Sequence, residues 1–244
     1  MAEPTTVSVN QKPYAILDIK QETPNVNVFT FKSQDGSKLD FDPGMFVMMT
    51  NIDSSSGEKV TRAFSIASLP GSDILEFYIS MVHGKFTSKL DTAKVGDIYY
   101  VTGPYGQFRF APKQDRKVLF IAGGTGLAPF MSMLKQIKEL NTGNDIVLLY
   151  SVRYPSEIIR KDELEQLRNE LPLKTIITVT RPQDGEEWKG ETGHIDQDMI
   201  KRTVPDLFER SSYICGPLGF VKAAKDSLVA LQYPTEKIKV DVWG

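Results

Sequence analysis

The sequence predicts a two-domain protein in which an antiparallel six-stranded β-barrel precedes an α/β domain built on a doubly wound, five-stranded parallel sheet. Three observations carry that expectation. Residues 13–110 hold six short alternating or β-branched runs separated by Gly, Pro, Asp, Asn and Ser turns, the spacing of a small all-β unit. From residue 118 onward, apolar runs alternate with helical stretches, which calls for parallel strands joined by helical crossovers. The change of period falls at Ala111-Pro112-Lys113, so the domains are expected to span residues 1–112 and 113–244. A chain of this length buries roughly 70–75% of its unfolded surface, enough for two cores.

In order, the barrel strands are expected at residues 14–19, 27–31, 46–49, 63–67, 75–81 and 98–101, where Val, Ile, Phe and Tyr recur as suits a pleated surface. A short helical insert is expected at residues 87–90, with Thr87 or Ser88 able to cap it. Gly103-Pro104-Tyr105-Gly106-Gln107-Phe108 reads as a rigid β-turn at the last barrel strand and a joint to the second domain. That domain is expected to run strand 118–122, helix 129–140, strand 146–150, helix 161–170, strand 175–180, short helix 197–201, strand 212–215, helix 218–231 and strand 237–242. Pro129 suits the first turn of its helix, where a missing N–H is no loss.

Twenty-nine basic and thirty-one acidic residues leave a formal charge of -2, with no long run of either sign, which argues against bulk attraction to nucleic acid or anionic membrane. One cysteine excludes an internal disulfide and a four-cysteine iron–sulfur cluster, and two histidines, His83 and His194, argue against a dedicated transition-metal site. Redox chemistry in this chain would need an organic cofactor. Residues 1–10 lack a basic n-region and an apolar stretch, and no segment approaches the run of about 20 apolar residues that spans a bilayer. A cytoplasmic location is expected.

Val118-Leu119-Phe120-Ile121-Ala122 runs into Gly123-Gly124-Thr125-Gly126-Leu127-Ala128-Pro129. An apolar strand ending in glycines can bring bare backbone N–H groups to a phosphate, with a helix N-terminus behind them; the same pattern also makes a plain tight turn. The G-G-x-G-x-A-P spacing differs from the usual dinucleotide fingerprint. Ile214-Cys215-Gly216-Pro217 likewise ends a strand ahead of a helix. Ligands in such sheets sit beyond the carboxyl ends of the strands, so both motifs are expected to face one cleft. In the first domain, Arg62-Ala63-Phe64-Ser65 lies on a strand, and His83-Gly84-Lys85-Phe86-Thr87-Ser88-Lys89-Leu90 follows. The guanidinium offers a planar fork for pyrophosphate and a helix start favours an anion. An exposed strand arginine and an ordinary helix cap are the plain alternatives.

Taken together and in this order, these segments resemble the ferredoxin–NADP reductase family of flavoprotein reductases over nearly the whole chain. The resemblance implies an FAD-binding barrel and an NAD(P)H-binding α/β domain. The family's R-x-Y-S segment, with arginine on the flavin pyrophosphate and serine near flavin N5, is matched by Arg62-Ala63-Phe64-Ser65. Phe64, in place of the usual tyrosine, keeps a ring to pack on the flavin and loses a phenolic hydrogen bond. The family's G-x-x-S/T phosphate element is similar to Gly84-Lys85-Phe86-Thr87, with Ser88 adjacent, and backbone at Ile79, Met81 and Val82 would border the isoalloxazine. The family's G-G-T-G-x-A-P is matched residue for residue, so Gly123, Gly124, Thr125 and Gly126 would contact the nicotinamide dinucleotide. Its C-G-P is matched at Cys215, Gly216 and Pro217, which would set the cysteine beside the nicotinamide ring. Plant-type members carry an acidic residue two before a terminal, flavin-covering tyrosine; Asp241-Val242-Trp243 is similar, with Gly244 in addition. Trp243 would stack on the flavin and move aside for nicotinamide, or else finish the last strand as core.

The resemblance further implies an NAD(P)H-dependent oxidoreductase in which hydride passes from nicotinamide C4 to flavin N5 and electrons then leave singly. Ser65, Cys215, Asp241 and Trp243 are the implied catalytic residues: Ser65 near N5, Cys215 setting the stacking geometry rather than acting as a nucleophile, and Asp241 relaying protons. Arg153 and Arg181, after the second and third parallel strands, could clamp a 2′-phosphate and so favour NADPH over NADH, although Glu157 and Asp162 follow closely. The sequence contains no four-cysteine ferredoxin domain, so the implied acceptor is a separate ferredoxin, flavodoxin or oxygenase component. It would dock near the flavin edge, around Lys85, Lys89 or Arg109. Two further readings stay open: an electron-transfer subunit of a larger dehydrogenase complex, and a non-catalytic module that senses flavin or nucleotide.

Overall fold

The computed structural model describes residues 11–53, 56–183 and 188–243; the readings made for residues 1–10 and for Gly244 lie outside them. The first sheet comprises β1 (Lys12–Thr23), β2 (Val26–Ser33), β3 (Phe46–Ile52), β4 (Lys59–Ser65), β5 (Ile74–Ser80) and β6 (Ile98–Tyr105). Its order is β4-β3-β6-β1-β2-β5, with every pairing antiparallel. The period-two alternation turns one face inward: Tyr14, Ile16, Phe29, Phe31, Val47, Met49, Phe77, Ile79, Tyr99 and Val101 are all buried. Phe31 meets Phe77 and Tyr99 edge-on, at 5.8 and 5.6 Å between ring centroids. The end strands β4 and β5 are drawn together by the Ala67 N–H, just past β4, which donates to the Glu76 carbonyl of β5 at 2.9 Å. Phe86 and Leu90, around the short helix α1 (Thr87–Leu90), join the barrel core.

The second sheet is parallel and ordered β10-β9-β8-β7-β11-β12. Its chain order is β7 (Lys117–Gly123), α2 (Leu127–Leu140), β8 (Asp145–Val152), α3 (Lys161–Glu170), β9 (Leu173–Val179), β10 (Glu191–Thr192), α4 (Gln197–Thr203), β11 (Ser211–Pro217), α5 (Leu218–Ala230) and β12 (Ile238–Trp243). The central strands β7 and β8 are buried and apolar over most of their length because helices cover both faces. The strand order reverses between β7 and β11, and a ligand crevice is expected beyond their carboxyl ends. The core of one face continues into the barrel, where Val26, Val28, Ala67 and Tyr78 pack with Phe120, Phe130 and Tyr213 through Phe108 and Phe110 of the connection.

The expected fold class is observed, with local differences. The parallel sheet has six strands rather than five, because the two-residue β10 pairs with β9 and is too short to show any periodicity. β4 lies at Lys59–Ser65 instead of residues 63–67, since its register is set by pairing with β3. Residues 66 and 67 leave that ladder to bond to Met45 and Glu76. Gly103-Pro104-Tyr105 is not a turn but the end of β6, with a ladder irregularity between Phe46 and Met48 opposite. Neither Thr87 nor Ser88 caps α1; its cap position is Phe86, without a side-chain bond, and the Thr87 hydroxyl accepts the Gly84 N–H at 2.9 Å. Among the described residues, no helix is long and apolar enough to cross a membrane.

Candidate functional site

β7 and β11 end side by side, each running directly into a helix. Between β7 and α2, Gly124–Gly126 forms one 3-10 turn, with Gly124 at φ +54°. The glycines here have separate causes. A Cβ on Gly126 would stand 2.3 Å from the Cys215 carbonyl oxygen, and one on Gly123 or Gly216 would stand 2.7 Å from the Phe220 ring. Those three let the β7 and β11 turns close on each other. At Gly124, by contrast, a Cβ would meet nothing within 4 Å. Neither α2 nor α5 has a side-chain cap bond or an acidic residue in its first turn; the Leu127 N–H is taken by the Gly124 and Thr125 carbonyls, so on the β7 side the 3-10 turn leads the helix, and both starts present a positive dipole end, the setting that accepts an anion.

A cavity of about 560 Å³ opens at this point. Gly123, Gly124, Thr125, Pro217 and Trp243 form one side, Ser80 and Val82 of the barrel another, and Arg153, Glu157, Thr180 and His194 the far end. Trp243 is 38% exposed; it stands opposite Pro217 in the β11–β12 ladder and is not a core residue.

Behind the lining residues Pro217 and Trp243, the barrel and the parallel sheet meet through three side chains that do not themselves line the cavity. Asp241 is opposite Cys215 in the β11–β12 ladder. Its Oδ2 accepts the Ser65 hydroxyl at 3.5 Å and the Cys215 thiol at 3.7 Å. Burial raises the Asp241 carboxyl above the ordinary carboxylate range, partly opposed by the bonds from Cys215, Ser65 and the Val242 backbone. Burial, reinforced by the Asp241 charge, pushes the Cys215 thiol well up, so it stays a neutral thiol at physiological pH and lacks the thiolate needed for nucleophilic work.

A raised carboxyl pKa costs stability once the group ionises. The unfolded chain releases its proton near 3.8 while the folded chain still holds it, so stability falls as pH rises through that interval. Asp241→Asn is therefore expected to raise the midpoint of thermal unfolding at pH 7, with the gain vanishing below about pH 3.8. Melting curves of both proteins across that range check this, and a destabilised variant at pH 7 would contradict it.

The barrel residues fall into two groups. Arg62 and Ala63 are exposed on β4, and Arg62 makes no ion pair among the described residues. Phe64 is half-buried against Phe86 and Phe77, with ring centroids 5.3 and 6.2 Å away. Gly84, Lys85 and Ser88 are exposed at the rim, whereas the Thr87 hydroxyl is spent on Gly84. Ile79 and Phe86 are each 1% exposed, inside the barrel core, because strand alternation turns Ile79 inward; only their backbone could border a ligand. Met81 is half-buried against the same core, while Val82 lines the cavity.

Arg153 lines the cavity but is held by Glu157, with Nη2 to Oε1 at 2.6 Å and Nε to Oε2 at 3.1 Å. Arg181 is exposed outside the cavity, and its N–H donates to the Arg153 carbonyl at 2.9 Å. Lys89 and Arg109 pair with Asp53 and Asp42. Ser80 and Thr180, within the segments expected to border the flavin and the nucleotide, also line the cavity, as do Thr23, Asn25 and Phe220, to which the sequence assigned no site role; only the Thr23-Pro24-Asn25 turn carried a local signal, and that signal says turn, not site.

The residues present fit an FAD and a nicotinamide dinucleotide. An exposed, uncommitted guanidinium and a rim of small residues stand on the barrel, and two uncapped helix starts flank the open Cβ position of Gly124. The family model for the oxidoreductase FAD-binding domain matches residues 13–110, and that for the oxidoreductase NAD-binding domain matches residues 120–226. The glycine betaine monooxygenase reductase subunit of Chromohalobacter salexigens is 34% identical over 215 residues, covering 85% of this chain and 57% of that protein. Among solved structures, the ferredoxin reductase in carbazole 1,9a-dioxygenase is 26% identical with TM-score 0.83, covering 96% of this chain and 69% of that one. The cytochrome b5 reductase domain of Ulva prolifera nitrate reductase is also 26% identical with TM-score 0.83, covering 98% and 100% of the two chains. The chain spans about three fifths of the length of the first curated relatives it matches.

Proposed function

The chain belongs to the ferredoxin–NADP reductase family of FAD- and nicotinamide-nucleotide-binding oxidoreductases, and from that premise we propose that it is an NAD(P)H-dependent flavoprotein reductase delivering electrons to a separate redox protein. The observation that carries the proposal is the Ser65–Asp241–Cys215 contact, which joins the barrel to the parallel sheet beside Pro217 and Trp243 of the cavity lining. Bound FAD would supply hydride acceptance from nicotinamide and release of electrons one at a time, chemistry no side chain here provides.

The residues divide the remaining work. Arg62 would hold the flavin pyrophosphate, with Gly84, Lys85 and Ser88 at the rim and the buried Thr87 hydroxyl holding the Gly84 turn in shape. Ser65 would place its hydroxyl at the reacting edge of the flavin. The α2 and α5 starts, with Gly124 and Thr125, would hold the dinucleotide phosphates, and neutral Cys215 would fix the position of the nicotinamide ring. Asp241 would relay a proton at Oδ2, where the Ser65 hydroxyl and the Cys215 thiol meet it. Trp243, at the cavity mouth, would cover the flavin until nicotinamide displaces it. Residues 1–112 are proposed as the FAD-binding domain and residues 113–244 as the NAD(P)H-binding domain.

The acceptor is proposed to be an oxygenase component, on the strength of the monooxygenase reductase relative, or else a ferredoxin or flavodoxin; a cytoplasmic location would suit any of them. NADPH is proposed as donor through Arg181, since Glu157 already occupies Arg153; comparing kcat/KM for NADPH and NADH decides between them. The central test is the visible spectrum of the purified protein under anaerobic conditions. A yellow protein that bleaches on NADPH or NADH addition is expected. Absence of bound flavin would overturn the proposal, and bound flavin that neither nucleotide bleaches would leave a sensing module in its place.

A further inference from the structure

The barrel and the parallel sheet are also joined by an ionic cluster away from the Ser65–Asp241–Cys215 contact. Arg160, immediately before α3, donates its backbone N–H to Glu22 Oε1 of β1 at 2.9 Å and its Nη2 to Glu76 Oε2 of β5 at 2.5 Å. Lys135 of α2 reaches the same Glu76 at 3.0 Å and donates to the Ala67 carbonyl at 3.1 Å. Glu163 of α3 closes the group, 3.3 Å from Lys135 and 3.5 Å from Arg160. The side chains of Arg160, Glu22 and Glu76 are 19%, 10% and 15% exposed, so these pairs are screened far less than surface ones.

Two features point to a role beyond surface pairing. Arg160 holds φ +51°, a left-handed conformation that a side chain makes unfavourable and glycine would adopt freely; the contacts of the side chain must offset that cost. Three of the chain segments in the cluster also continue into the cavity. Glu22 precedes Thr23, Arg160 follows Ile159, and Glu76 lies on the strand that ends at Ser80, and Thr23, Ile159 and Ser80 all line the cavity.

We infer that Arg160, assisted by Lys135, is a positioning residue that fixes the angle between the two sheets and thereby the approach of nicotinamide to flavin. The inference rests on the functional reading above. It requires no contact between Arg160 and either cofactor. A small rotation at this cluster moves the two cavity walls relative to each other, and hydride transfer is steeply sensitive to such displacements.

The test uses FAD-loaded full chain carrying Arg160→Gly, which relieves the left-handed strain while removing the ion pairs. Two measurements are made: the rate of flavin reduction at saturating nucleotide, and backbone residual dipolar couplings from both sheets. The expected result is a reduction rate at least fivefold lower with FAD content unchanged, and couplings that fit one alignment tensor in the wild type and need two in the variant. A rate lowered less than fivefold, or a single tensor in the variant, overturns the inference. If Arg160→Gly does not yield folded protein, Lys135→Gln is judged by the same criteria. If the wild type itself is not reduced, the functional reading fails, and the dipolar couplings alone decide whether the cluster fixes the angle.

Discussion

Cys215→Ala and Ser65→Ala are each expected to slow reduction of the bound flavin by about 100-fold, the penalty typical of reactants misplaced by about 1 Å, while FAD occupancy stays at the wild-type level. The reason is the geometry around Asp241. Its Oδ2 is shared between the Ser65 hydroxyl, from the barrel, and the Cys215 thiol, from the parallel sheet. Both donors hold a carboxylate that burial otherwise disfavours. Removing either loosens the carboxylate and, with it, the register between the surfaces on which the two cofactors are placed. FAD occupancy should not follow, because Arg62 and the Gly84–Thr87 bond lie on the barrel alone. Stopped-flow reduction with matched absorbance spectra checks the prediction; wild-type rates in both variants would remove Ser65 and Cys215 from the mechanism.

Gly126→Ala is expected to force the ends of β7 and β11 apart. Its Cβ would lie 2.3 Å from the Cys215 carbonyl oxygen, 2.6 Å from the carbonyl carbon and 2.8 Å from Gly216 Cα. All three neighbours are backbone, so no rotamer change relieves the overlap; β7 and β11 must separate. A loss of about 3 kcal/mol is expected, at the upper end for an overpacked site, corresponding to a drop of about 10 °C in the unfolding midpoint. Gly219→Ala, in the first turn of α5 where a Cβ meets nothing within 4 Å, is the control and should be neutral or slightly stabilising. Equal midpoints for the two variants would show that the β7–β11 approach is not as tight as the geometry requires.

Much of this architecture was legible in the sequence because burial enforces pattern. Residues such as Phe29, Phe31 and Phe77 alternate because one face of the barrel is closed, and Val118 through Ala122 are uniformly apolar because helices cover both sides of the sheet. The site was legible less directly. Ser65 and Asp241 are 176 residues apart, and nothing local to either says that they meet; only the order of five motifs along the chain suggested it. Thr23 and Asn25 were invisible as cavity residues, since a hairpin turn becomes a wall only when another domain docks on it. The Arg160 cluster left no trace for the same reason: Glu22, Glu76, Lys135 and Arg160 are residue types found on any surface. β10 is two residues long, below the length at which alternation can be read.

The division of labour among the glycines bears on how a genome is searched. Gly123, Gly126 and Gly216 are dictated by backbone and ring contacts inside the protein, so a descendant that had ceased to use any nucleotide would still be selected to retain them for folding. Retention of these three therefore diagnoses ancestry. Position 124 is different, because a side chain there would project where no protein atom stands. A homologue with asparagine at that position, a residue tolerant of the left-handed backbone, could keep the architecture while obstructing the cavity, and such a substitution is the mark by which a silent relative would be told from a working one.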